Sequence, residues 1–206
     1  MDESSPTPAE PQPQPRPRSR AVSQLIEIAT TVLLAVALYF VIQTFLLQTF
    51  RVEGRSMQDS LEPEQHLLID KLTPRFDDYS RGDVVVLHPP DSDPGSTPYI
   101  KRVIGVAGDR VEIHDEHVWV NGVQLDEAYV NADYPTERGE WAEYEVPSGE
   151  LIVMGDHRDA SLDSREFGSV AVSEVVGRAV LRFWPLDALG ILQTPIYPDV
   201  PATPPV

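Results

Sequence analysis

Lys101 stands inside an apolar run, Tyr99-Ile100-Lys101-Arg102-Val103-Ile104-Gly105, and Ser56 sits in a turn-like stretch, Gly54-Arg55-Ser56-Met57-Gln58-Asp59-Ser60-Leu61. A third polar segment runs Gly155-Asp156-His157-Arg158-Asp159-Ala160-Ser161-Leu162-Asp163-Ser164-Arg165-Glu166-Phe167-Gly168. A serine hydroxyl is a weak nucleophile and needs a base within hydrogen-bond reach. Lysine serves as that base when it is neutral, and an apolar site favours neutrality by penalising the ammonium. Ile100, Val103 and Ile104 supply such surroundings if Lys101 points inward. The chain has two lysines, Lys71 and Lys101, and draws its remaining positive charge from arginine, which keeps its proton in proteins. The three segments together suggest a serine–lysine dyad.

Each segment alone has a plainer reading: a turn serine, an outward strand lysine that guards an edge, and an Asp-rich loop that caps its own turns. A calcium loop counted from Asp156 fails, because position six is Ser161 where glycine is wanted and position twelve is Phe167 where glutamate is wanted. A histidine base would be commoner than lysine. Of His66, His88, His114, His117 and His157, only His157 lies within one of the three segments.

Composition narrows the function classes. The chain has 206 residues, with 33 acidic against 16 basic side chains and no run that forms a basic face, so nucleic acid is not an expected partner. It has no cysteine, which excludes disulfides, thiolate metal sites and cysteine nucleophiles. The proposed chemistry calls for no metal and no cofactor.

The elements that must position these residues follow from the pattern along the chain. Residues 1–26 read as a disordered, Pro-rich tail. Ile28 to Phe50 carries no charge and at about 1.5 Å per residue reaches roughly 34 Å, enough to cross a bilayer. This predicts an uncleaved transmembrane helix over 27–50, since no small-x-small site follows before Arg51. Arg16, Arg18 and Arg20 ahead of it place the N-terminus in the cytoplasm. Beyond Arg51 the chain breaks into short β-like runs at 83–88, 99–106, 111–113, 117–120, 123–125, 150–154 and 175–184. Asn121-Gly122 marks a hairpin. The Pro-rich stretch 191–206 reads as a loose tail.

Four motifs in order, Gly54-x-Ser56-Met57, Gly82-Asp83-Val84-Val85-Val86, Lys101-Arg102-Val103-Ile104-Gly105-x-x-Gly108-Asp109 and the Gly155 segment, resemble the bacterial type I signal peptidase family. The resemblance covers roughly residues 30 to 184. It implies a mainly β fold: a coiled antiparallel catalytic core (51–108 and 149–190) with a smaller β lobe inserted at 109–148, behind one transmembrane helix. It implies a membrane-anchored endopeptidase of the bacterial cytoplasmic membrane. Its catalytic domain would lie on the outer face and cut exported precursors after a small-x-small site through an acyl-enzyme. By position, Ser56 matches the nucleophile, Lys101 its base, Ser161 a hydroxyl that orients the lysine, and Asp163 with Arg165 a supporting ion pair. Gly54 stands where many relatives carry an oxyanion-stabilising hydroxyl, leaving that role to backbone or water. Phe50, Val52, Met57, Leu61, Tyr99 and Ile100 match the walls of the pockets for small substrate side chains, with ordinary core packing as the competing reading.

The family pattern has proline where this chain has Asp59, and commonly asparagine where it has His157 and Ala160. A carboxylate aimed at Lys101 would favour the ammonium and oppose catalysis. Two alternatives therefore stand beside the peptidase: a degenerate, membrane-tethered β domain that binds partners, and a self-cleaving protein of the repressor type. The second would want a DNA-binding module where this chain has an apolar helix.

Overall fold

The computed structural model describes residues 20–42, 46–72, 74, 76, 78–90, 92–93 and 95–201, so most of the expected N-terminal tail lies outside the described residues. Two units are distinct, residues 1–41 and residues 42–206. In the first, helix α1 spans Arg20–Val41, and its most apolar window has a mean hydropathy of 2.0. It is long and apolar enough to cross a membrane. The expected limits, 27 and 50, are both corrected. The helix begins at Arg20, and Leu47–Arg51 forms strand β1 instead. A short apolar run satisfies either period, and here pairing decides: β1 bonds antiparallel to β2, His66–Asp70, with Phe50 opposite Leu67.

In the second unit, β3 (Val84–Leu87) is wholly buried, as a run of β-branched residues closed by Pro89-Pro90 should be. β4 (Tyr99–Val106) lies beside it, with Lys101 opposite Val85. A second, four-stranded sheet follows from β5 (Arg110–His114), β6 (His117–Val120), β7 (Val123–Gln124) and β8 (Glu143–Glu145), ordered β7-β6-β5-β8. Asn121 and Gly122 both take positive φ, 53° and 79°, as a type I′ hairpin turn requires. The chain then returns to the first sheet as β9 (Glu150–Met154), helix α2 (Ser164–Phe167), β10 (Val170–Ala171), the long β11 (Val175–Trp184) and β12 (Gly190–Ile191). The large sheet runs β1-β2-β11-β3-β4-β9-β10, with β12 on β11, and every pairing is antiparallel.

β4 is therefore central, flanked by β3 and β9, and six of its eight residues are buried. Strands buried on both faces lose the in-out alternation, which is why Lys101 and Arg102 are both sequestered although adjacent.

Residues 192–201 correct the described part of the expected loose tail 191–206, of which 202–206 lie outside the described residues. Leu192 donates its N–H to Val180 at 3.0 Å, Thr194 Oγ1 donates to Asp83 Oδ1 at 2.7 Å, and Pro195 packs on Gly82. Val200 is buried in the apolar cluster that includes Val111, Ile113 and Val118 of the second sheet. Prolines suit such a strap, because an extended segment held by side chains needs few backbone donors.

Candidate active site

Lys101 Nζ lies 2.7 Å from Ser56 Oγ, in hydrogen-bond contact. The lysine is 3% exposed, and burial above all lowers its pKa from 10.5 to about 8. The carboxylates of Asp163 and Asp156 oppose that shift and Arg165 assists it. Both carboxylates are already paired with arginine. Arg102 donates to Asp156 through Nε at 2.8 Å and Nη2 at 2.6 Å, and Arg165 donates to Asp163 at 2.9 and 3.0 Å. Their pull on the ammonium is thereby weakened, and burial prevails. The Tyr99 ring faces the amine with its centroid 5.2 Å away.

Ser56 lies in a turn whose apolar residues anchor it. Val52, Met57 and Leu61 are each 1% exposed in a cluster with Leu67, Ile69, Val84, Val86 and Ile100. Of the six expected pocket residues, these three pack in the core and do not line the cleft. Phe50, Tyr99 and Ile100 do line a cleft of about 310 Å³, together with Gly54, Ser56, Lys101 and Leu162. A larger cavity of about 630 Å³ in the small-sheet lobe contains neither Ser56 nor Lys101.

The Gly155 segment backs the serine. His157 donates its backbone N–H to the Ser56 carbonyl at 3.0 Å. A Cβ on Gly155 would collide with that carbonyl and with the Ser161 side chain, so glycine is required by close approach. Asp163 caps α2, accepting the Arg165 N–H, and also accepts the Gly155 N–H at 2.9 Å and the Ser161 hydroxyl at 2.6 Å. Burial alone would raise the Asp163 pKa, but Arg165, Ser161 and Gly155 together hold it below the ordinary carboxylate value. The Ser161 hydroxyl is thus committed to Asp163. The lysine-orienting bond that the resemblance implied for it is not made in this structure: Lys101 Nζ bonds Ser56 Oγ and the Ser161 hydroxyl bonds Asp163.

Asp59, the unusual carboxylate, accepts Asn131 Nδ2 at 2.9 Å. Several supporting residues escaped the sequence reading. Arg102 and Asp156 were visible within motifs but carried no assigned role, while Glu127, Asn131 and Tyr134 lie far along the chain with no local signal.

A match to the family described as signal peptidase, peptidase S26, spans residues 25–184. The chain belongs to this family. As an S26 peptidase it is 36% identical to a signal peptidase I of Leptolyngbya laminosa over 202 residues, covering 94% of this chain and 97% of the relative. It is 33% identical to signal peptidase I P of Bacillus subtilis subsp. natto over 178 residues, covering 82% and 95%. A crystal structure of a signal peptidase I from Enterococcus faecalis aligns with 31% identity and a TM-score of 0.42, over 48% of this chain and 95% of that one. The S26 match takes in all three polar segments and ends at the last residue of β11.

Proposed function

We propose that this S26 peptidase removes signal peptides from exported precursor proteins, with Ser56 as nucleophile and Lys101 as general base. The observation that carries the reading is the 2.7 Å contact between Lys101 Nζ and Ser56 Oγ in a setting that favours a neutral amine. Neutral Lys101 takes the Ser56 proton while Oγ attacks the scissile carbonyl. The tetrahedral oxyanion faces the Ser56 backbone N–H. As the C–N bond breaks, the lysine ammonium returns the proton to the departing amine, leaving an acyl-enzyme. Lys101 next takes a proton from water, the hydroxide attacks the ester, and the signal peptide leaves as a carboxylate while Ser56 regains its hydrogen.

The cleft beside the dyad supports selection of small side chains by size. Walls such as Phe50, Tyr99 and Ile100 discriminate by roughly 1–3 kcal/mol per methylene. Helix α1 would cross the bacterial cytoplasmic membrane once, N-terminus inside, leaving the catalytic unit on the outer face. Anchoring raises the effective concentration at precursors whose apolar segment lies in the same bilayer, without any new contact.

The test is cleavage of a small-x-small precursor peptide by detergent-solubilised full-length chain beside Ser56→Ala and Lys101→Met. Activity lost in both variants supports the dyad. A folded wild type that neither cleaves nor takes up a serine-acylating probe would favour the degenerate, partner-binding alternative.

A further inference from the structure

The connection between β7 and β8 reaches back to both segments that frame the nucleophile. Asn131 Nδ2 holds Asp59 Oδ2 at 2.9 Å, across 72 residues of sequence and three residues past Ser56. The amide is itself fixed, because Asn131 Oδ1 accepts the Asp133 N–H at 3.0 Å. Tyr134 stacks on the His157 imidazole, with centroids 4.0 Å apart and planes 21° from parallel. It is the backbone of that same His157 that holds the Ser56 carbonyl. Glu127 accepts Arg158 Nη2 at 2.6 Å and Nη1 at 3.1 Å, Thr136 Oγ1 accepts Nη1 as well, and Arg158 Nε returns to the Gly155 carbonyl at 3.0 Å. Arg158 is 1% exposed, so the arginine end of this anchor is buried.

We propose that residues 127–136 of the small-sheet lobe form a clamp that positions the nucleophile, with Asn131 and Tyr134 as positioning residues acting through Asp59 and His157. The clamp rests on the Ser56–Lys101 reading and extends it to a part of the chain outside the dyad's own strands and turns. Its physical basis is the turn that carries Ser56. A turn has more freedom than a strand, and misplacing a reacting atom by about 1 Å costs on the order of 100-fold in rate. The apolar anchors Val52, Met57 and Leu61 fix the turn from below, while Asp59 is exposed and is held from the side by Asn131. At position 59 the family pattern has proline, whose ring restricts the backbone without a partner. Here a tertiary hydrogen bond takes over that restraint. The second departure, His157, meets the same connection through Tyr134. Two of the three unusual residues of the site thus share one lobe as their support.

The experiment is a double-mutant cycle on the full-length chain in detergent, reading kcat and KM for one precursor peptide. Asn131→Ala and Asp59→Ala should each lower kcat about fivefold to tenfold, the loss expected for one hydrogen bond to a charged group, with KM nearly unchanged. The double variant should fall no further than either single one, because both remove the same contact. Tyr134→Ala should lose rate similarly and Tyr134→Phe, which keeps the stacked ring, should recover it. The midpoint of the pH–rate profile should stay where it is, since the lysine's surroundings are untouched. Wild-type kcat in Asn131→Ala, losses that multiply in the double variant, or a loss equal to the unfolded fraction would each overturn the clamp. Ser56→Ala run alongside separates the two claims: residual cleavage there refutes the dyad, whereas an inactive Ser56→Ala beside a fully active Asn131→Ala refutes the clamp alone.

Discussion

Gly155 lies so close behind Ser56 that a side chain on it would meet the Ser56 carbonyl on one side and the Ser161 Cβ, at 2.5 Å, on the other. Backbone and a short side chain converge there, so relief requires moving the nucleophile's turn or the Asp163 network. Gly155→Ala is expected to fold and to lose at least about 100-fold in kcat, because the displacement falls on the reacting atom. Circular dichroism beside peptide cleavage checks both halves.

The lysine titration sets the pH dependence. With a folded pKa of about 8, the rate should climb with pH to a plateau, with its midpoint near 8. Lys101→Arg should be inactive at every pH, because arginine retains its proton while keeping the charge and much of the length. A rate profile flat from pH 6 to 10 in the wild type would contradict a lysine base.

The same shift has a cost in stability. Unfolded, the lysine titrates at its ordinary 10.5, whereas folded it titrates at about 8. Between those values the unfolded state holds a proton that the folded state has released, so stability rises with pH across the window. Below it, the folded chain carries a poorly solvated ammonium. Lys101→Met should therefore be more stable than wild type at pH 7, by about 3 kcal/mol, with the gap closing between pH 8 and 10.5. Urea melts of both proteins at pH 7 and pH 10 measure it.

Carboxylates near the site should differ sharply in effect. Asp163 raises the lysine pKa and accepts five hydrogen bonds, so Asp163→Asn should move the pH–rate midpoint downward. It should also destabilise the fold by about 3–5 kcal/mol by leaving Arg165 buried without its partner. Asp59→Asn should leave the midpoint unmoved, since that carboxylate faces Asn131.

The sequence revealed these elements unevenly, for physical reasons. β-branched runs closed by Pro89-Pro90 and the Asn121-Gly122 turn encode their structure locally, and β3, β4, β6 and β7 follow from them. β1 was hidden within an apolar stretch that continues from α1, because composition cannot decide whether such a run bonds to itself or to a neighbour. Ser56 and Lys101 were visible because each is out of keeping with its surroundings. The walls of the cleft were only partly so: Val52 and Phe50 are two residues apart and both apolar, yet one is core and the other lines the opening. Asn131 could not have been found, for its meaning lies wholly in a contact with Asp59 across 72 residues.

The strap of residues 192–201 bears on how the molecule comes apart. It bonds to Asp83 beside the large sheet and buries Val200 among residues of the small one, while Tyr197 meets Tyr129 of the β7–β8 connection at 3.0 Å. The segment adds to the contacts that the β7–β8 connection and the shared apolar cluster already make between the two sheets, and elements joined in this way tend to open together. A stretch that composition alone would dismiss as a trailing end thus resists local opening, and shortening it should leave more of the enzyme partly open to proteolysis.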